Sequence, residues 1–268
     1  MRWRIASVMA CVAIVSACGA QQTVTKRVHT DSCLPQSLTV FAASSLKNIL
    51  NDVKAEYLAE NTCTSDIVFN FGSSATLAAQ IVNGAPANVF IAASAATMQT
   101  VSDADVLDAA PQVIARNVAE IMVYPKSSYA SRIHSLEDLI TVRSAGARVG
   151  VCVASAPCGA MADSVLAKAQ PSLKRQNIAD SESPSVDDLV LKIQMGELDA
   201  GIVYHSDCQF VLKNEKATCV SIPIARNATN EYLVGALDHQ SHTELFVKYL
   251  NSQSFQDVAV TSYGFLAP

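Results

Sequence analysis

Two short runs of small and hydroxyl residues hold the chemistry of this chain: Ala42-Ala43-Ser44-Ser45 and Gly72-Ser73-Ser74. Each follows an apolar, strand-like run and precedes a helix-like one. A strand that ends in Ser or Gly and feeds a helix start leaves backbone N–H groups unpaired beside hydroxyl donors, which together make a socket for an oxyanion. Two such sockets point to one shared ligand. The same serines also suit helix caps, a role compatible with holding an anion.

The elements that would position these turns alternate along the chain. Leu38 to Ala42 reads as a strand, and Leu46, Ile49, Leu50, Val53 and Tyr57 fall at helical spacing before Asn61. Ile67 to Phe71 is strand-like, a helix with Leu77 and Ile81 stops at Asn83-Gly84, and Val89 to Ala92 is a short apolar strand. Further strands are expected over Ala119 to Tyr124, Arg148 to Val153 and Ala200 to Tyr204. The helices between them are expected from the capping box Ser135-Leu136-Glu137-Asp138, over Ala160 to Gln170, and over Val186 to Met195 before Gly196. This order predicts an α/β fold with mostly parallel sheets covered by helices and a ligand at the carboxyl ends of strands.

Arg2 and Arg4 precede an apolar stretch from Ile5 to Val15, too short to span a membrane, so residues 1–17 read as a signal peptide. Val15-Ser16-Ala17-Cys18-Gly19 has the form of a lipobox, which would make Cys18 a lipidated first residue; ordinary cleavage after Ala17 is the alternative. Residues 18–35 are polar and without periodicity, as in a flexible tether. Beyond the signal, Cys33, Cys63, Cys152, Cys158, Cys208 and Cys219 form an even set in an exported chain, which favours disulfides over zinc. Fifteen pairings are possible, and nearest-neighbour spacing favours 152 with 158, 208 with 219 and 33 with 63.

The formal net charge of −5 and the lack of a Lys/Arg-rich run argue against nucleic acid as a partner. An anion site here would have to act through local dipoles. The motifs GxSxG, GxxxxGK[ST], GxGxxG and HExxH are absent, and Asp187 and Asp188 would diverge around a helix rather than cooperate. A serine hydrolase would need a His and a carboxylate to converge on Ser45 or Ser74. His205 reads as solvent-facing or as a supporting partner, and His239 and His242 as a polar helix-start surface.

The blocks Val40-Phe41-Ala42-Ala43-Ser44-Ser45-Leu46, Phe71-Gly72-Ser73-Ser74-Ala75-Thr76-Leu77, 84–93, 200–207 and Tyr263-Gly264-Phe265 occur in order over nearly all of residues 37–266. Together they resemble the periplasmic molybdate-binding proteins of the ModA family. The resemblance implies a type II solute-binding fold: two α/β lobes joined by crossover strands that close over the ligand. Lobe I would comprise 36–118 and 227–268, and lobe II 119–226. The chain would be a monomer and no enzyme, exported and either anchored by lipid to the outer face of the cytoplasmic membrane or free in the periplasm. It would deliver molybdate or tungstate to an ABC permease and need no cofactor or bare metal cation. Carried over by position, the ligand contacts are Ser45, Ser74, the backbone N–H of Cys158 in Pro157-Cys158-Gly159, the backbone N–H of Val186, and the phenol of Tyr204. A small apolar residue usually fills the slot of Cys158, but a backbone donor survives that change. Sulfate is the alternative ligand, and a secreted serine hydrolase the alternative class.

Overall fold

The computed structural model describes residues 33–169, 171–213 and 217–268. The first half of the chain gives β1 (Gln36–Ala43), α1 (Lys47–Glu60), β2 (Thr64–Gly72), α2 (Ser74–Val82), β3 (Val89–Ala92), α3 (Ala95–Asp103) and the long β4 (Gln112–Val123). Then follow α4 (Leu136–Ser144), β5 (Val149–Cys152), α5 (Pro157–Ala167), α6 (Arg175–Ile178), β6 (Ser181–Ser183), α7 (Val186–Gln194), β7 (Ala200–Tyr204) and α8 (His205–Leu212). The chain closes with β8 (Thr218–Ser221), β9 (Thr229–Ala236), α9 (Ser241–Leu250) and α10 (Gln253–Tyr263).

The strands run in the order β2-β1-β3-β9-β4-β7-β5-β6, with β8 paired to β4. The pairs β1 with β2 and β3, and β5 with β6 and β7, are parallel. The strands that join the lobes are not: β9 runs antiparallel to β3 and β4, and β4 antiparallel to β7 and β8. Each sheet is therefore mixed, a parallel set bordered by antiparallel strands. β4 belongs to both sheets, because residues 112–118 pair with β9 and residues 119–123 with β7. Its start at Gln112 lies before the expected Ala119, since the first half carries Gln112, Arg116 and Asn117 and does not read as an apolar run.

Period-two alternation places the core of the first lobe on both faces of its sheet. Leu38, Val40 and Ala42 of β1 join Val89 and Ile91 of β3 and Tyr232 and Val234 of β9 on one face. Phe41, Phe90, Ala92 and Leu233 pack on the other with Leu77 and Met98. In the second lobe, β5 and β7 are buried at every position, as parallel strands covered on both sides must be. Their shared core includes Ile121, Val151, Met161, Val165, Leu189 and Ile202.

Disulfides join Cys33 to Cys63, Cys152 to Cys158 and Cys208 to Cys219, across Cα separations of 5.3, 5.7 and 6.0 Å. These are the nearest-neighbour pairs. The expected signal peptide over 1–17 and the expected lipidation site Cys18 lie outside the described residues, as does most of the 18–35 segment; its Cys33 is joined to Cys63 in the turn between α1 and β2. Two expectations need correction. α5 begins at Pro157 rather than Ala160, with Pro at the helix start where its missing N–H costs nothing. His242, read as surface, is 4% exposed because α9 turns it inward.

Gly159 is fixed by this packing: a Cβ there would lie 2.0 Å from the Val153 carbonyl oxygen and 2.8 Å from that of Cys152. Gly159→Ala is expected to cost about 1–3 kcal/mol through overpacking against backbone. The readout is a fall of several degrees in the melting temperature by calorimetry, and an unchanged value would contradict the packing.

Candidate oxyanion-binding cleft

The loops after β1, β2, β3, β5, β6 and β7 open at one end of the two sheets, where carboxyl ends of strands meet helix starts. Between them lies a small cleft, about 200 Å³ counting its opening to solvent, lined by Ser44, Ser45, Ser73, Ser74, Cys158, Val186 and Tyr204 among others. All of the residues expected to hold the ligand are thus brought together. None of the lining residues is charged.

Each residue reaches the cavity by a local rule. Ser45 sits in a 3-10 turn over Ser44–Leu46 that leads into α1. Ser74 and Val186 are the first residues of α2 and α7, and Cys158 is the second of α5, so their N–H groups fall among the first four of a helix, which have no intrahelical acceptor. Ser185 caps α7 by accepting from Asp188 N–H, and Ser94 and Ser135 cap α3 and α4 in the same way. Ser73, at the cap position of α2, makes no side-chain cap bond, nor does any side chain cap the starts of the 3-10 turn and α1. Plain capping therefore accounts for Ser185 but not for Ser45, Ser73 or Ser74.

The hydroxyls are held from behind. Ser45 Oγ lies 2.7 Å from Tyr232 Oη, Ser74 Oγ accepts from Ala93 N–H at 3.0 Å, and Tyr204 Oη accepts from Asn230 Nδ2 at 3.1 Å. Tyr204 is 1% exposed, deeper than a strand tyrosine with a surface hydroxyl would be. Burial holds both Tyr204 and Tyr232 well above the ordinary phenol value, so each stays a neutral donor. Their rings meet edge to face at 6.0 Å, and Phe265 braces Tyr232 from the other side at 5.3 Å.

The Cys158 turn is supported by the Cys152–Cys158 disulfide and by Arg175, which is 7% exposed and donates to the carbonyls of Cys152 and, at 3.1 Å, of Gly159. At the mouth, Lys47 of α1 pairs with Asp187 of α7 at 3.0 Å, while Asp188 turns to Lys192. The two aspartates diverge, as expected. No His lines the cavity, and the partners of Ser45 and Ser74 are a phenol and a backbone N–H, so a hydrolase triad is not assembled on either serine. The backing residues Asn117, Asn230, Tyr232 and Arg175 were not legible in sequence, because each is a lone polar residue on an element without a clear pattern.

Residues 38–266 match the family model of the bacterial extracellular solute-binding proteins. The chain belongs to that family. Over 210 residues it is 32% identical to the molybdate-binding protein ModA of Mycobacterium tuberculosis, spanning 78% of this chain and 76% of that protein. The periplasmic molybdate-binding protein of Azotobacter vinelandii superposes with a TM-score of 0.70 at 17% identity, covering 86% and 99% of the two chains. The sulfate-binding protein SubI of M. tuberculosis superposes at 0.73 with 14% identity, covering 86% of each. The chain is accordingly a ModA-like solute-binding protein that works outside the cytoplasm, not an enzyme.

Two groups beside Tyr204 hold their protons to higher pH than they ordinarily would. Burial pushes the Asp207 carboxyl up to about 7, opposed by the Tyr204 N–H it accepts from and assisted by the Asp187 carboxylate. The hydrogen bond from His205 Nδ1 to Glu120 at 3.0 Å raises His205 above 6.5 despite partial burial. Both folded values exceed the unfolded ones, so the native state keeps protons that the unfolded chain releases. Their stabilisation is complete below the unfolded values and is lost as pH rises through the folded ones. The expected outcome is a ligand-free melting temperature that falls from about pH 4 to about pH 7 as Asp207 gives up its proton, with the His205 contribution lost above pH 6.5. Asp207→Asn, which keeps an acceptor for the Tyr204 N–H, should flatten that fall; an unaltered pH profile would contradict the assignment.

Proposed function

We propose that this protein captures molybdate, and tungstate with it, and delivers the oxyanion to a membrane ABC permease. The observation that carries the proposal is the convergence of Ser45, Ser74, Cys158, Val186 and Tyr204 on one small uncharged cavity. Donors at helix starts stabilise a divalent oxyanion without a balancing cation: about 0.3–1 kcal/mol for each helix end and about 1.5–3 kcal/mol for each hydrogen bond to charge. Micromolar affinity needs only about 8 kcal/mol net, so several convergent donors suffice. The likeness to a mycobacterial protein named for molybdate binding supports the choice of ligand.

In this reading residues 36–118 with 227–268 form one lobe and 119–226 the other, and β4 and β9 flex as the lobes close. The Lys47–Asp187 pair lies across the mouth and fits a contact made on closure. The lipobox form of 15–19 supports anchoring through Cys18, which would keep a monomeric protein beside its permease. Sulfate is the second reading, favoured by the likeness to SubI in fold. Sulfate makes the same bonds but is smaller, so donors fixed at helix starts reach the larger tetrahedra better.

Thermal-shift measurement with molybdate, tungstate, sulfate and phosphate tests the proposal. A ligand at about 100 times its Kd stabilises by about 2.7 kcal/mol, so the two larger anions should raise the melting temperature clearly and the smaller ones little. A flat response to all of them would overturn it. By calorimetry, Ser74→Ala should weaken molybdate binding at least about tenfold through loss of a charge-assisted bond, and unchanged affinity would remove Ser74 from the site.

A further inference from the structure

We infer that Arg175 is a positioning residue of the cleft: it ties the two ends of the Cys158 turn together and so holds the Cys158 N–H in place for the ligand. The inference rests on the oxyanion reading above and adds to it the residue that orders one of the donors.

The start of α5 has no support of its own. Its cap position is Ala156, which has no side-chain oxygen to accept from the first N–H groups, whereas α7 begins behind the Ser185 cap. The Ser45, Ser74 and Tyr204 hydroxyls each rest on a partner. The Cys158 amide has to be placed by the chain around it. Residues 153–157 run from the end of β5 to Cys158, and this loop is crossed twice. The Cys152–Cys158 disulfide crosses it covalently. Arg175 crosses it through hydrogen bonds, since Nη1 donates to the Cys152 carbonyl and Nη2 to the Gly159 carbonyl at 3.1 Å.

The crossing takes a forked donor. A guanidinium is planar and fixes its N–H groups in one plane, while a Lys ammonium is a compact charge on a flexible stem. The same Nη2 donates to Asp163 at 2.8 Å, and Glu182 lies 3.5 Å from Nη1, so the buried cation is paired. Both carboxylates are nearly half exposed, and water can serve them if the cation is removed. The two carbonyls are worse placed, because Cys152 and Gly159 are buried. A buried carbonyl without a donor is costly, so without the fork the turn opens toward water. α5 packs on β5 so closely that Gly159 has no room for a Cβ beside the Val153 and Cys152 carbonyl oxygens, and any shift of Gly159 carries the neighbouring Cys158 amide with it. Binding then has to reorder the turn, and the cost is read as lost affinity.

Calorimetric titration of the mature protein with molybdate, together with backbone amide exchange in the ligand-free state, tests this. Arg175→Met keeps the apolar stem without the fork, and Arg175→Lys keeps the charge beside Asp163 and Glu182 without the fork. Both variants should bind molybdate about tenfold more weakly. In both, the Cys158 and Gly159 amides should exchange about tenfold faster while those of Ser74 and Val186 keep their rates. In a Cys152→Ser/Cys158→Ser background, Arg175→Met should weaken binding by a larger factor than it does alone, because nothing then spans the turn. Full affinity in Arg175→Lys would assign the effect to charge and overturn the inference. So would unchanged affinity in variants that melt near the unsubstituted protein, or an equal rise in exchange at all four amides. An unsubstituted protein that binds no molybdate would overturn the oxyanion reading instead, and faster exchange confined to Cys158 and Gly159 would still support Arg175 as the residue that orders the turn.

Discussion

The structure depends on a surplus of hydrogen-bond donors facing one small space. Helix starts at α2, α5 and α7 and a 3-10 turn before α1 aim N–H groups at a cavity where no side chain offers charge. Donors left without acceptors are costly when buried, and an oxyanion supplies acceptors to all of them at once. A neutral donor set also suits a chain whose net charge of −5 would repel an anion at long range, because the attraction acts only within the cleft.

The fold explains how so many helix starts meet. Parallel strands put their carboxyl ends on one side, and each such end is followed by a turn and a helix that points back over the sheet. The antiparallel strands β4 and β9 break that pattern between the lobes, so the two sets of strand ends face each other across the cleft. β4 and β9 also supply Asn117, Asn230 and Tyr232, which touch the hydroxyls from behind. The strands that link the lobes are thus the ones that order the cleft.

Much of this was legible in sequence for a physical reason. β3, β5, β7 and the second half of β1 are buried on both faces and read as apolar runs, and the serine turns directly follow β1 and β2. Cys152–Cys158 and Cys208–Cys219 paired as spacing favoured because the partners lie only 6 and 11 residues apart, which left Cys33 for Cys63. The first half of β4 and all of β9 were not legible: Arg116, Asn117, Asn230 and Glu231 interrupt their alternation where they pass between the lobes. The polar residues that hide those strands from pattern reading include the ones that position the cleft. His242 was misread because a histidine near a helix start looks polar, while α9 buries it against the first lobe.

The most direct test is X-ray diffraction from crystals grown with molybdate, recorded at the molybdenum absorption edge. The account predicts one anomalous peak in the cleft, with oxygens in hydrogen-bond reach of the Ser45, Ser74 and Tyr204 hydroxyls and of the Cys158 and Val186 N–H groups. A peak elsewhere on the protein, or none in crystals soaked to saturation, would contradict it.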